Sequence, residues 1–420
     1  MRLLMIDING EHPNVMWRNF KNALSFEFDI KCYGPGFVST TELEKGLHKF
    51  IEKNNGFDII VVTSYLFRAA IGSETGDLRG TYGDFSYLLS QYNLAECIRF
   101  SASILHELDE IRDIARIILV QGDVVTMPKA LATAYRKKFD AGYYYLGWGF
   151  IHEYSKDRAF RKNKLTNQHK SICQEYHNKI ISLPICAINE NNLCYTELAA
   201  RPFDWIVPGN IKGYHQREIA QKILIEQGVK LWNEDKERSE LTYNHLKLKN
   251  IMNIQFDTLY DRVVSIIMMI MRNPKHRYHI HMPLSPKAIG GYRENYLDAL
   301  KMTKYAYVDG GPGHVVVGKY MEVPAAGTVM IGETACGLRD MGFVPGVHMI
   351  EVSADGLKKM IPEIEHDIDH MQEIADNAKR LVVEKHTYRK RAEAFRRACE
   401  KIREGEFVGS HWENGDFILE

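Results

Sequence analysis

Short apolar runs alternate with amphipathic stretches along the first half of the chain. Leu3 to Ile8 is an apolar run broken only by Asp7, and a helical pattern follows it through Leu24. Further strand-like runs are predicted at residues 28–33, 58–63, 116–120, 141–146 and 180–188, with helical patterns at 43–53, 91–115 and 129–139. Strands that alternate with helices form a parallel sheet whose functional site lies at the carboxyl ends of the strands. This half of the sequence therefore predicts a Rossmann-like domain.

The second half repeats the strand, glycine turn and helix order. Asp204 to Val207 is strand-like and leads into Pro208-Gly209-Asn210, then into a helical stretch that carries Tyr214 and Arg217. Strands are also predicted at 229–232, 305–308 and 328–331, and helices at 315–326, 357–383 and 387–404. The asparagine-rich stretch before residue 204 is typical of a linker. We therefore expect an α/β protein with a first domain at 1–188, a linker at 189–203, a second domain at 204–384 and a C-terminal helix and tail at 385–420.

Length and charge support this division and limit the function classes. At 420 residues the chain exceeds the usual size of a single hydrophobic core. Its 54 basic and 54 acidic side chains cancel, so no overall field attracts nucleic acid or membrane. The seven cysteines never occur as Cys-x-x-Cys, which argues against a disulfide framework or a structural zinc site. The chain opens on a strand pattern and its longest apolar run, Ile266 to Met271, is short, so we expect a cytoplasmic protein without a transmembrane segment.

The most informative stretch runs from Lys304 to Glu333. A strand-like run there meets Gly310-Gly311-Pro312-Gly313-His314, and Lys319 and Glu322 follow on one face of the predicted helix. Glycines and a helix N-terminus suit a phosphate, and a nearby cation and carboxylate suit the phosphate and hydroxyl groups of a nucleotide-sugar. The alternative is a structural glycine turn beside a Lys and Glu pair on the surface, which has the same local pattern.

The order of motifs in this half supports the nucleotide-sugar interpretation. Lys319-Tyr-Met-Glu-Val-Pro-Ala-Ala-Gly327 precedes a strand, Glu333, Phe343-Val-Pro-Gly346 and His386-Thr-Tyr388 with Arg391. Residues 299–395 resemble the donor-binding half of GT-B glycosyltransferases, in particular the CgeB-like group. The resemblance implies two Rossmann-like domains that face each other across a cleft, with a last helix that crosses back to the first domain.

The resemblance also implies an activity and a donor site. It implies transfer of a sugar from a nucleotide-sugar, most readily a UDP-sugar, to a hydroxyl group on a glycan, lipid-linked carrier, polymer or modified DNA base. Glu322 would hold the ribose, and the loop at 310–314 would face the diphosphate and the sugar. Retaining relatives often carry a glutamate where this chain has His314, so the stereochemistry stays open. The expected donor-binding residues are Gly209, Asn210, Arg217, Tyr292, Gly310, Gly311, Gly313, His314, Lys319 and Glu322.

The acceptor side depends on first-domain residues at predicted strand ends. His12 and Asp123 are the candidate catalytic bases, and for each the alternative is a cap or turn residue. We expect no metal ion and no cofactor, because the single Asp-x-Asp, at 367–369, falls within a predicted helix. A basic run at 156–170 is either a solvated surface or a contact for an anionic, phosphate-bearing acceptor. The expected acceptor-binding residues are Gly10, Glu11, Arg158, Arg161 and Lys162.

Two other functions fit the same architecture. A nucleotide-sugar 2-epimerase would use a similar donor pocket, and a noncatalytic glycan- or polymer-binding protein would keep the fold without the chemistry. Fold alone does not decide between them. Product formed in the absence of an acceptor would identify the epimerase.

Overall fold

The computed structural model describes most of both predicted domains. The described residues are 1–8, 15–63, 66–67, 70, 94–120, 129–147, 171–172, 174–190, 193, 196–209, 211, 214–232, 296–311 and 314–420.

A six-stranded parallel sheet forms the centre of the first domain. Its strands lie in the order β2-β1-β3-β4-β5-β6 and its helices connect them. The elements are β1 (Arg2–Ile6), α1 (Val15–Leu24), β2 (Asp29–Tyr33), α2 (Thr40–Glu44), α3 (Leu47–Lys53), β3 (Ile59–Val62), α4 (Leu94–Ile111), β4 (Arg116–Val120), α5 (Lys129–Asp140), β5 (Tyr144–Gly147) and β6 (Ile180–Ser182). The chain moves outward from β1 to β2 and then returns to β3 on the other side, so the topological switch point lies between β1 and β3.

The apolar runs become strands because both faces of this sheet are covered. Leu3 and Met5 of β1 belong to one hydrophobic core, while Leu4 and Ile6 belong to another on the opposite face. Alternate residues of a strand point to opposite faces, so a strand buried on both sides needs a continuous apolar sequence. This explains why β1 and β3 could be recognised from the sequence alone.

A second, four-stranded parallel sheet lies in the C-terminal half, in the order β10-β9-β8-β7. Residues 296–301 are helical and lead into β8. The elements are β7 (Phe203–Ile206), α6 (His215–Glu226), β8 (Thr303–Val308), α7 (Lys319–Ala325), β9 (Val329–Gly332), β10 (Ile350–Glu351), α8 (Leu357–His366) and α9 (Ile368–Lys385). Two Rossmann-like domains are therefore present, as the resemblance implied. The domain bounds given above stay predictions.

Several predicted elements differ from the observed ones. The stretch at 43–53 contains two short helices, and residues 229–232 contribute only an isolated bridge between Leu231 and Trp205. The single helix predicted at 357–383 is broken at Asp367, whose side chain caps α9 by accepting a hydrogen bond from the amide of His370 at 3.0 Å. The Asp-x-Asp motif therefore begins at a helix break and not inside a helix.

The C-terminal segment joins the two domains. The last helix, α10 (Tyr388–Glu404), begins at the Thr387 cap and packs on α1 of the first domain. The ring of Phe395 contacts those of Phe20 and Phe28, with centroid distances of 5.9 and 5.8 Å. A hairpin that the sequence did not predict, β11 (Ser410–Glu413) and β12 (Asp416–Leu419), follows it. Trp412 of this hairpin donates a hydrogen bond to the carbonyl of Ser182 in β6.

No helix in the described ranges has the length and apolar character needed to cross a bilayer.

Candidate functional site

The candidate donor site lies at the carboxyl edge of the second sheet, where β8 ends. Asp309, Gly310 and Gly311 follow β8, and the chain turns back at His314. A Cβ atom at Gly310 would lie 2.7 Å from the Cα of His314, and Gly311 has a φ of 64° in the left-handed region. Both positions therefore need glycine for the turn to form. The predicted glycine turn is present at this strand end.

Arg217 lies between two glycine turns. Its Nε donates to Oδ1 of Asp309 at 2.5 Å, and both side chains are buried. The guanidinium carbon lies 4.2 Å from the centre of the Tyr214 ring. A Cβ atom at Gly209 would lie 3.2 Å from Nη1, and one at Gly311 would lie 3.9 Å from Nη2. Asp309 and Tyr214 thus hold the cation against the ends of β7 and β8, because a buried charge needs a partner.

Lys319 brings a second cation to the same turn. It is the first residue of α7, and its ammonium group donates a hydrogen bond to the carbonyl of Pro208. A Cβ atom at Gly209 would overlap this ammonium group, so glycine at 209 makes room for it. Two cations on glycine turns suit a pyrophosphate, since charge-assisted hydrogen bonds to phosphate oxygens are strong.

The helix after the glycine turn starts later than predicted. It spans Lys319–Ala325, whereas Val315 forms an isolated bridge with Cys336. The N-terminus of α7 therefore does not directly follow the glycine turn. The phosphate site predicted from the sequence lacks the helix N-terminus that was expected to contribute positive charge there. Pro324 lies in the last turn of α7. Positive charge at this edge comes from side chains instead.

Glu322 lies on α7, one turn after Lys319, at the boundary between the domains. A Cβ atom at Gly318 would lie 3.6 Å from Oε1 of Glu322 and 3.0 Å from Sδ of Met16, a residue of α1. The carboxyl group is therefore close to the point where the first domain meets the second. A carboxylate here can accept hydrogen bonds from hydroxyl groups of a ligand held between the domains.

His314 forms a pair with Glu333 beside the same turn. Its Nδ1 lies 3.6 Å from Oε2 of Glu333, the first residue after β9. The backbone of His314 is held from both sides, because its amide donates to the carbonyl of Gly311 and its carbonyl accepts from the amide of Cys336. Its φ of 48° is unusual for a residue other than glycine and costs on the order of 1 kcal/mol or more. A role for Glu333 beside His314 is not visible in the sequence, because the two residues meet only when β8 and β9 pair.

A buried carboxyl group marks the carboxyl edge of the first sheet. Asp7 follows β1, and its Oδ1 accepts hydrogen bonds from the amide of Ile8 at 2.9 Å and the hydroxyl of Thr63 at 2.8 Å. Burial raises the pKa of Asp7, and Lys21, whose Nζ lies 4.0 Å from Oδ2, opposes that effect. Thr63 follows β3, so this pair lies at the topological switch point of the sheet. In the sequence, Asp7 stands out only because it breaks an apolar run.

Not every predicted site residue can be located. Ten of the predicted site residues lie outside the described residues. They are the candidate bases His12 and Asp123, the donor-binding residues Asn210, Tyr292 and Gly313, and the acceptor-binding residues Gly10, Glu11, Arg158, Arg161 and Lys162. Their roles stay predictions. The described members of the donor set, Gly209, Arg217, Gly310, Gly311, His314, Lys319 and Glu322, lie along the edge of the second sheet or, for Glu322, at the adjoining domain boundary.

Two comparisons with known proteins concern the second half of the chain and the overall fold. The family model Glyco_trans_1_2, described as glycosyl transferase-like, matches residues 272–397. A glycosyltransferase from Rickettsia africae superimposes with a TM-score of 0.50 at 10% sequence identity, covering 96% of this chain and 98% of that one. The chain shares the fold of this solved protein, and in both parallel sheets its strands alternate with helices. The matched residues contain the glycine turn, α7 and most of α10, so the sequence likeness falls on the half that carries the candidate donor site.

Two further solved structures are similar in overall shape. Anabaena HepE in complex with UDP and glucose has a TM-score of 0.49 at 8% identity, covering 96% of this chain and 100% of that one. Sucrose-phosphate synthase from Thermosynechococcus elongatus has a TM-score of 0.49 at 10% identity, with the same coverage. No curated protein matches the chain in sequence.

Proposed function

We propose that the protein transfers a sugar from a nucleotide-sugar, with a UDP-sugar as the first candidate, to a hydroxyl group of an acceptor. The observation that carries this proposal is the meeting of Arg217 and Lys319 at Gly209, with Glu322 one helical turn from Lys319. Two cations at glycine turns fit a diphosphate, and the carboxylate fits ribose hydroxyl groups. The donor therefore binds to the second domain and the acceptor to the first.

The chemistry follows from where charge develops. When the bond between the sugar and the diphosphate breaks, negative charge accumulates on the leaving diphosphate. Lys319, Arg217 and the backbone amides of the glycine turn stabilise that charge without a metal ion, which is the largest single contribution to catalysis in many enzymes. His12 or Asp123 removes the proton from the acceptor hydroxyl if the reaction inverts the anomeric centre. Gly10, Glu11, Arg158, Arg161 and Lys162 contact the acceptor, for which a phosphate-bearing glycan, lipid or DNA is the proposed class. A CgeB-like relationship and a cytoplasmic location complete the proposal.

A thermal-shift experiment tests the donor site. A ligand that binds only the folded state raises the melting temperature, by an amount that grows with ligand concentration over Kd. We expect one or more members of a nucleotide-sugar panel to raise the melting temperature of the wild-type protein, and Lys319→Ala to remove most of the shift. Lys358→Ala, an exposed lysine on α8 of the same domain, is the matched control and keeps the shift. A wild-type protein that no nucleotide-sugar stabilises contradicts the proposal.

A turnover assay separates transfer from the other two functions. Incubation of the stabilising nucleotide-sugar with a panel of hydroxyl acceptors should give a glycosylated product, and omission of the acceptor should give none. An altered nucleotide-sugar formed without an acceptor identifies an epimerase. Binding without hydrolysis, epimerisation or transfer identifies a binding protein.

A further inference from the structure

The pair formed by His314 and Glu333 lies beside the two cations, one strand further along the sheet. Arg217 and Lys319 lie against the turns after β7 and β8, whereas His314 and Glu333 connect the turn after β8 with the end of β9. Within a nucleotide-sugar, the diphosphate connects the nucleoside to the sugar. With the diphosphate at the cations, a sugar that extends toward the end of β9 meets the pair.

The charge of the pair also favours a sugar over a phosphate. If His314 is protonated, the pair is neutral, and if His314 is neutral, the pair carries one negative charge. In neither state does it attract an anion. An imidazole and a carboxylate together offer hydrogen-bond donors and acceptors, and hydroxyl groups need both.

The surroundings of the pair strengthen its electrostatic effect. The side chain of Glu333 is 18% exposed and that of His314 is 32% exposed, so water screens the carboxylate only in part. The backbone carbonyl of Glu333 accepts a hydrogen bond from the hydroxyl of Tyr320, a residue of α7, at 2.7 Å. This contact fixes residue 333 to the helix that carries Lys319 and Glu322. A ligand group that meets the pair therefore meets a partly desolvated carboxylate on a backbone that α7 holds in place.

We propose that Glu333, which lies beside His314, excludes donors whose sugar carries a negative charge. Glu333 acts in two ways. It orients the ring of His314 through Nδ1, so that Nε2 is the ring nitrogen on the side away from Glu333. Its own charge repels a sugar carboxylate, because like charges held close together in a partly desolvated site repel each other. This inference rests on the proposed function, since it needs a donor bound at the edge of the second sheet.

The test measures binding of three probes by isothermal titration: UDP, UDP-glucose and UDP-glucuronic acid. The last two differ in one carboxylate on the sugar, and UDP lacks the sugar. For the wild-type protein we expect UDP-glucose to bind at least about tenfold more tightly than UDP-glucuronic acid. Glu333→Gln should reduce that ratio to about threefold or less and should change the Kd for UDP by less than about twofold.

Two further variants make the result specific. Glu351→Gln removes an exposed carboxylate from β10 of the same sheet, one that pairs with Arg339 at 2.8 Å, and should leave the ratio unchanged. His314→Asn keeps a residue that tolerates the left-handed backbone. It should weaken UDP-glucose binding about tenfold while leaving UDP binding unchanged.

The outcomes separate the two proposals. The wild-type protein could bind UDP, UDP-glucose and UDP-glucuronic acid while Glu333→Gln and His314→Asn leave all three affinities unchanged. In that case the pair only stabilises the turn, and this inference is wrong. The proposed donor site is then still supported. Equal loss of UDP and UDP-glucose affinity in His314→Asn places the ring at the phosphates and also overturns it. A wild-type protein that binds none of the three overturns the uridine-sugar donor and this inference with it.

Discussion

Arg391 donates a hydrogen bond from Nη2 to Nδ1 of His386 across 2.9 Å, although both side chains are buried and both can carry a positive charge. A guanidinium group can only donate, so Nδ1 accepts and the proton of the neutral ring is on Nε2. Nε2 then donates to the carbonyl of Met341 at 2.8 Å. Burial lowers the pKa of His386 well below its ordinary value, and the neighbouring charge of Arg391 lowers it further. The contact therefore needs a neutral histidine.

The first prediction follows from the sign of that pKa shift. A folded-state pKa below the unfolded value of 6.5 means that the unfolded chain binds a proton that the folded chain does not. The contribution of His386 to stability is complete above pH 6.5 and is lost as the pH falls toward the folded pKa, by at most about 1.4 kcal/mol per pH unit. His386→Gln should remove this part of the pH dependence, measured as the free energy of urea unfolding between pH 5 and 8. His106→Gln, at an exposed site on α4, should not. Parallel curves for wild type and His386→Gln would contradict the assignment.

The second prediction concerns the cation itself. Arg391 donates from Nε to the carbonyl of Pro184 at 3.1 Å and from Nη1 to that of Lys385, and its guanidinium lies 4.5 Å from the centre of the Trp412 ring. Burial lowers the pKa of Arg391 to about 10. One side chain thus joins the end of the first sheet, the start of α10 and the C-terminal hairpin.

Arg391→Met should therefore leave several buried acceptors without a donor. Each costs about 1–3 kcal/mol, so we expect a loss of roughly 3 kcal/mol or more in the free energy of unfolding. Arg389→Met changes an arginine two residues earlier that is 66% exposed, and should cost less than about 0.5 kcal/mol. Urea unfolding measures both. Similar small losses in the two variants would show that the buried cation does not join the domains.

The third prediction separates folding from binding at the donor site. Arg217→Met leaves the buried carboxylate of Asp309 without its partner and should cost about 3–5 kcal/mol of stability. Adding Asp309→Asn removes the buried, unpaired carboxylate, so the double variant should recover most of the lost stability. It should not recover nucleotide-sugar binding, because the cation is still missing. A double variant that binds the donor as the wild type does would show that Arg217 is structural only.

Elements with a strong local pattern could be predicted from the sequence. β4 spans the predicted residues 116–120, because its apolar residues are followed by Gln121 and Gly122. The start of α7 could not, since Val315, Val316 and Val317 suit a helix or an extended segment, and the bridge to Cys336 decides between them. The break at Asp367 was missed because apolar spacing continues through it, while the capping contact with His370 depends on the local backbone.

Some residues of the candidate site could be predicted from the sequence and others could not. Glycine turns and charged residues close in sequence, such as Lys319 and Glu322, are visible before folding. Asp7 and Thr63 are 56 residues apart and meet only because β1 and β3 pair. His314 and Glu333 likewise come together across β8 and β9. Chemistry that depends on strand pairing cannot be found from local patterns.

The central claim is that the edge of the second sheet, with Glu322 beside it, holds an activated sugar. Isothermal titration of a nucleotide-sugar panel, with UDP-glucose as the first member, into the wild-type protein and into Glu322→Ala tests it most directly. Glu322→Ala should fold normally and bind the nucleotide-sugar about tenfold to a hundredfold more weakly, since a hydrogen bond to a charged group is worth about 1.5–3 kcal/mol. Unchanged affinity in Glu322→Ala, or no binding by the wild-type protein, would contradict it.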